Sequence, residues 1–385
     1  MKTIRIPKAE AYTEKGKIND IVMSINQDGK WESLTSYKGE QVDEVYDYGT
    51  SSIIVPGFID THIHGAAGAD VMDATPEAIK KISAALPAEG TTSYLPTTLT
   101  QSREDTIRAL KNAAAVSCSG AEAAGIHLEG PFINAVRKGA QPEAFILPPD
   151  REIFMEFQQA AQNRIKIITT APELDKDQFI KTLSRQGVVV SMGHTDASYS
   201  EAAVSFHQGV TQATHFFNGM RGFHHRDLGV VGAVYMSKEI RAELIADGVH
   251  VSPEAAEYTY KQLGAERITL ITDAMRAKGL SDGSYQLGGQ EVQVTGNQAV
   301  LKDGTLAGSV LKMNEAFRNI MQFTGCSIEE AIMMTSTNAA EVLKIEDIKG
   351  SIAIGKDADF TMLDKAFNVL MTSVKGEVVY QGGAS

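Results

Sequence analysis

Six residues of metal-ligand type stand at or near the ends of five apolar runs: His62 and His64 on one, then Glu129, His194, His215 and Asp273. They are imidazoles and carboxylates, with no thiolate among them, a set that suits Zn²⁺, Fe²⁺, Mn²⁺ or Co²⁺ without choosing between them. His62 and His64 form a His-x-His pair. On an extended strand side chains alternate, so both rings point to one side and can grip one ion. Each residue alone also has an ordinary reading. Glu129 could be a loop carboxylate, His194 and His215 could be buried rings satisfied by backbone carbonyls, and Asp273 could cap a helix. Their repeated placement at the ends of runs points to one shared centre.

The chemistry such a centre offers is hydrolysis. Glu129, His194 and His215 as three protein ligands leave a coordination position open to water, whose pKa an ion lowers towards ~7. Asp273 is then placed to take the water's proton and return it to a leaving group. An amide needs that return, because an amine departs badly unless protonated. His62 and His64 could complete a second metal site, with Glu129 bridging the two.

Ligands spread over two hundred positions converge only if a fold brings their segments to one face. The middle of the chain offers strand candidates at 53–59, 92–95, 125–128, 165–169, 188–192, 212–215, 242–245 and 268–271. Helical patterns alternate with them. The segment 75–90 opens with Thr75 as N-cap and Pro76 at the first helical position, and 198–209 ends at Gly209 as a helix C-cap would; 150–162 is similar. Strands alternating with helices in this number predict a (β/α)₈ barrel, whose strand C-termini open onto a single face. An open doubly wound sheet would carry a Gly-rich turn after its first strand, and none is present. The stretch 283–306 reads as hairpins inserted after the eighth strand. Both termini are β-rich, which predicts a small discontinuous β-sandwich domain from 1–52 and 348–385 beside a barrel domain at 53–347.

The 385 residues exceed what one core usually supports, in keeping with a large and a small domain. A formal charge of −12, spread without a long acidic block, argues against a nucleic-acid surface but leaves room for a locally positive site. Cys118 and Cys326 form neither a CxxC motif nor a disulfide framework. The N-terminal MKTIRIPKAE lacks an apolar core, and no run approaches a membrane span. The expectation is a cytoplasmic protein with no membrane or nucleic-acid partner.

The motifs also resemble a known family. PGFIDTHIHG at 56–65 is similar to the first-strand signature of the amidohydrolase superfamily. More specific are HLEGPFI at 127–133 followed by KGA at 138–140, and GHTDA at 193–197. THFFNGM at 214–220 with His225 and Arg226, ADGVH at 246–250, TDAM at 272–275 and LAGS at 306–309 follow in family order, and GSIAIGKDADF at 350–360 is similar to the closing β segment. Together they resemble the N-acetylglucosamine-6-phosphate deacetylase family nearly end to end. The resemblance implies removal of the acetyl group from N-acetylglucosamine 6-phosphate, giving glucosamine 6-phosphate and acetate in amino-sugar catabolism and cell-wall sugar recycling. It implies Glu129, His194 and His215 as metal ligands, Asp273 as catalytic acid/base, and substrate contacts at Ala140, Asn218, Gly219, Arg226, His250, Leu306, Ala307 and Gly308. It also implies a homodimer or higher oligomer in which Arg226 reaches a neighbouring subunit's phosphate. A guanidinium suits that task, because it binds phosphate in a bidentate manner. His250 could orient the acetamide carbonyl or a sugar hydroxyl, or stabilise an oxyanion; its ordinary alternative is to cap the helix that opens at Ser252 and Pro253.

Departures from the family pattern occur at three places. Gln141 replaces a common histidine, Asp227 and Leu228 replace a Glu-Pro pair and are expected to loosen the arginine loop, and Asn338-Ala339-Ala340 lacks a usual proline. Rival readings are a cyclic-amide hydrolase, a purine-type deaminase, or a noncatalytic barrel. A noncatalytic relative would have lost ligands or the acid/base, and this chain keeps them all.

Overall fold

The computed structural model describes residues 2–49 and 51–382; residue 1, residue 50 and residues 383–385, which belong to the expected terminal β unit, lie outside the described residues. Parallel strands Phe58–Ile63, Thr91–Thr98, Ile126–Glu129, Ile165–Thr170, Val189–Met192, Val210–Ala213, Arg241–Leu244 and Ile268–Leu270 pair in chain order. The first and eighth meet just beyond their ends. The Asp273 N–H donates to the His62 carbonyl at 2.8 Å and the His64 N–H to the Ala274 carbonyl at 2.9 Å. Buried Asp60 adds a clasp by accepting from the Thr272 N–H at 3.2 Å. The barrel expected from the alternating pattern is therefore present.

The helices follow the capping chemistry of the sequence. Thr75 caps Pro76–Ala85, Asp150 caps Arg151–Ala160, and Ser198 caps Tyr199–Gln208 in a reciprocal box with Glu201, ending at Gly209. Each lays apolar residues such as Ile79, Ile82, Phe154 and Phe157 on the barrel.

One strand expectation needs correction. The apolar run 53–59 is two strands: Ser52–Pro56 pairs with terminal strands, and Phe58–Ile63 starts the barrel. The break is at Gly57, where a Cβ would sit 2.1 Å from the Thr92 hydroxyl oxygen. The run carries no polar punctuation because both halves are buried.

The terminal strands Lys2–Thr13, Gly16–Ile25, Trp31–Ser36, Glu44–Val45, Ser52–Pro56, Phe360–Leu363, Val369–Val374 and Glu377–Gln381 form one hydrogen-bonded sheet. Trp31 and Phe360 lie on strands four places apart, which in a flat sheet means roughly 19 Å. Their ring centroids are 5.7 Å apart, so the sheet folds over itself around its own core of Ile4, Ile21, Met23 and Met371. The inserted segment forms antiparallel strands Gly283–Leu287, Gln290–Thr295 and Gln298–Val300. It is tied to the barrel mouth by the Gln290 amide, which donates to the Ala140 carbonyl at 2.6 Å.

Candidate metal centre and active site

The ligand-type residues stand just at or past the barrel strands. His62 lies in the first strand with His64 beyond it, Glu129 ends the third, and His194, His215 and Asp273 follow the fifth, sixth and eighth. These last three have positive φ values of 47°, 30° and 49°. A left-handed turn at a non-glycine residue costs about 1–3 kcal/mol and persists only where the surroundings impose it. Gly219 makes room for one of them: a Cβ there would sit 2.9 Å from His194 Nδ1.

Each imidazole is oriented by what its Nδ1 touches. His194 Nδ1 donates to the Arg137 carbonyl at 2.9 Å, His215 Nδ1 to the Asn218 carbonyl at 3.0 Å, and His64 Nδ1 to the Thr97 carbonyl at 3.2 Å. A carbonyl only accepts, so Nδ1 keeps its proton and Nε2 presents a lone pair. The Nε2 atoms of His194 and His215 stand 3.1 and 3.0 Å from Glu129 Oε1 and only 3.1 Å from each other. His64 Nε2 faces Glu129 Oε2 at 3.3 Å and Asp273 Oδ1 at 3.2 Å. His62 Nε2 lies 3.6 Å from Glu129 Oε1 and 3.5 Å from Asp273 Oδ1, and this buried atom has no hydrogen-bond partner.

Electron pairs that converge this closely require positive charge between them. Burial opposes ionisation of Glu129, yet His62, His194, His215 and His64 hold its carboxyl well below the usual range. Burial likewise works against protonating His62, but Asp273, Glu129 and Glu243 carry its pKa up to about 9. His64 is raised well above its ordinary value against the same burial. A proton or a cation satisfies the cluster, and all-N/O donors fit a divalent metal. Two neighbouring groups with no residue in common could hold one: Glu129, His194 and His215, and His62, His64 and Asp273.

Beside these donors opens a cavity of about 390 Å³, which Asp273 and His64 help to line. Of the substrate contacts expected from resemblance, Ala140, Asn218, Gly219, His250, Leu306 and Gly308 line it, while Ala307 is buried behind the wall. Arg226 does not line it; the guanidinium stands on an exposed hairpin, 2.8 Å from His225 Nε2. That hairpin is not loosened by Asp227, contrary to expectation. Asp227 exchanges backbone hydrogen bonds with His224 and accepts from Arg221 and the Gly229 N–H. The helix after His250 is capped by Ser252, and His250 Nδ1 is held by Asp247 at 2.6 Å instead. In the neutral ring this leaves Nε2 as an acceptor, which suits a hydroxyl donor better than a developing oxyanion.

Sequence reasoning missed several residues. Gln141 lines the cavity and is held by the protein at both halves of its amide: the nitrogen donates to Glu129 Oε2 at 2.7 Å and the oxygen accepts from the Thr100 N–H at 2.8 Å. Glu243 accepts from His62 Nδ1 at 3.1 Å, and Asp247 orients His250. The signal for Glu243 was present, an acid on the inward alternation of the apolar strand Arg241–Leu244. Among the described residues no helix is long and apolar enough to cross a membrane.

This arrangement is shared with known proteins. Residues 53–379 match the model of the amidohydrolase family. The chain is 44% identical over 376 residues to a Bacillus subtilis (strain 168) N-acetylglucosamine-6-phosphate deacetylase, covering 96% of this chain and 95% of that one. It is 37% identical over 333 residues to an Escherichia coli O157:H7 N-acetylgalactosamine-6-phosphate deacetylase, covering 85% and 88%. A solved Mycobacterium smegmatis N-acetyl-D-glucosamine-6-phosphate deacetylase, in complex with N-acetyl-D-glucosamine-6-phosphate, superposes with a TM-score of 0.90 at 29% identity, covering 99% of each chain. Likeness of this depth, running through both the barrel and the folded-over terminal sheet, is likeness of descent: the chain belongs to the amidohydrolase family, with the N-acetylglucosamine-6-phosphate deacetylases as its near relatives.

Proposed function

We propose that this protein hydrolyses the acetamide of N-acetylglucosamine 6-phosphate to glucosamine 6-phosphate and acetate. The observation that carries the reading is the convergence of the His194 and His215 Nε2 atoms on Glu129 at one wall of a sugar-sized cavity, with Asp273 beside them. Glu129, His194 and His215 would hold a divalent ion, which when bound would supply Lewis-acid polarisation and lower the pKa of a water. Asp273 takes the proton of the attacking water and delivers it to the amine nitrogen as the C–N bond breaks. His250, fixed by Asp247, accepts a hydrogen bond from a sugar hydroxyl. Asn218 presents its amide to the ligand, while the backbone at 306–308 and Ala140 shape the remaining wall.

The phosphate needs a cation, and among the described residues no Lys or Arg lines the cavity. Arg226, projecting on its stiff hairpin beside exposed Phe223, is suited to serve a neighbouring subunit, which makes a homodimer the reading of the assembly. Zinc, iron, manganese and cobalt all fit the donors, with one or two ions per chain. The unpaired cysteines accord with a reducing cytoplasm.

The test is acetate release from N-acetylglucosamine 6-phosphate by metal-loaded protein, with a chelated control. The unphosphorylated sugar and the galactosamine epimer run alongside. Metal-dependent turnover that requires the phosphate is expected. No release from folded, metallated protein would overturn the reading and move the site to another amide, and faster release from the epimer would reassign the substrate.

A further inference from the structure

Glu243 is a fully buried carboxylate that does not line the cavity, and among the described residues its ion-pair partner is His62, with no lysine or arginine against it. Its Oε1 accepts from the Gln212 amide at 2.7 Å, and its Oε2 accepts from His62 Nδ1 at 3.1 Å and the His215 N–H at 3.3 Å. Taking such a charge out of water costs several kcal/mol unless positive charge lies nearby. Among the described residues the route to one runs through the His62 ring to Nε2, the atom without a hydrogen-bond partner between Glu129 and Asp273.

His62, His127 and Glu243 also lie close enough together to resemble a metal group of their own. His127 is not free to join one. Its Nδ1 donates to the Thr61 carbonyl at 3.1 Å and its Nε2 accepts from the Thr169 hydroxyl at 2.7 Å. The Thr169 hydroxyl can therefore only receive from Thr214, 2.8 Å away, so this side of His62 is closed by a fully committed hydrogen-bond chain. Glu243 thus acts on His62 and not on an ion of its own.

We propose that Glu243 is a positioning residue that holds His62 in the Nδ1–H tautomer and raises the donor strength of Nε2 towards an ion shared with His64 and Asp273. It selects for occupancy of that position and leaves the ion on Glu129, His194 and His215 unaffected. A carboxylate behind a ligating histidine is worth about 10–100-fold in metal affinity. The inference rests on the metal-dependent reading of the site above.

Gln212 supplies a clean control. Its Oε1 is buried without a partner, so in Glu243→Gln the Gln212 amide can turn and donor and acceptor remain matched. That variant keeps the shape and the tautomer and removes only the charge, whereas Glu243→Ala removes both. The experiment titrates metal-free protein with Co²⁺, following visible absorption and bound cobalt per chain, with circular dichroism to verify folding. Wild type is expected to take up two ions. Glu243→Gln should weaken the second about ten-fold and Glu243→Ala about 10–100-fold, with the first unchanged in both. Two ions bound by Glu243→Ala at wild-type affinity would overturn the proposal. So would parallel loss of both ions, or a single ion in wild type. If Glu243→Ala does not fold, Glu243→Gln decides alone, and an unchanged second affinity there counts against the proposal. Because cobalt is counted without substrate, the result is separate from the acetate assay: failure of the proposed function would show as absent acetate release at any ion content.

Discussion

Asp273 is the more open of the two carboxylates that line the cavity, 12% exposed at its side chain while Glu129 is 2% exposed. His62, His64 and His215 keep it ionised against its burial, so at neutral pH it stands as the carboxylate, the form that can take a proton from water. Asp273→Asn keeps the shape but cannot carry that proton. Acetate release is expected to fall roughly 10²–10⁴-fold, while elemental analysis still finds the ion held by Glu129, His194 and His215. Near-normal turnover would remove Asp273 from the acid/base role. At this scale the ligands themselves were readable, because each lies near the end of an apolar run. What orients them was not. The carbonyls of Arg137, Asn218 and Thr97 are backbone atoms, equally available at every residue, and only the fold decides which of them meets a ring. Gln141 shows the same limit. Read as a substitution affecting a sugar contact, it spends both halves of its amide on Glu129 and Thr100.

At the scale of elements, the strands announced themselves through β-branched runs and the helices through their caps, so all eight barrel strands were found within a few residues. The error at 53–59 has a physical cause. Alternation marks a strand with one wet face, and a segment buried in two successive sheets has none. The Pro56-Gly57 step marks the halves, and Gly57 does so by what it lacks. Its position against Thr92, itself 1% exposed, leaves no volume for a methyl group. Gly57→Ala should therefore lower the urea midpoint by an amount equivalent to about 1–3 kcal/mol, the usual cost of overpacking a closed core. An unchanged midpoint would show that Thr92 can turn away, leaving the crossover between sheet and barrel to be set elsewhere. The inserted strands are a second element whose existence was visible in its glycine-rich turns but whose purpose was not. Leu287, Thr305 and Leu306 line the cavity, so the insertion walls the site as well as decorating the barrel.

The whole molecule poses a problem: a site proposed for a phosphate ester, on a protein of formal charge −12, with no Lys or Arg in its cavity wall among the described residues. Two arrangements answer it. Either Arg226 folds back over its own cavity, or it reaches across a two-fold interface into a partner's. The hairpin's hydrogen bonds at His224 and Asp227 and the exposed Phe223 favour the second, because a stiff arm capped by an aromatic side chain suits docking better than folding back. Mixed dimers separate the two. Arg226→Ala lacks the anchor and Asp273→Asn lacks the proton carrier, so each homodimer should be nearly inactive on the phosphorylated sugar. If the arm crosses, a hybrid contains one cavity with an intact Asp273 served by an intact Arg226 from the other chain. Random re-association of equal amounts then restores roughly a quarter of wild-type sites, since half the dimers are hybrids and each has one complete cavity. If the arm serves its own cavity, no complete site forms in any combination and activity stays at the sum of the parents. The measurement is acetate release after unfolding and refolding the two variants together, against each refolded alone.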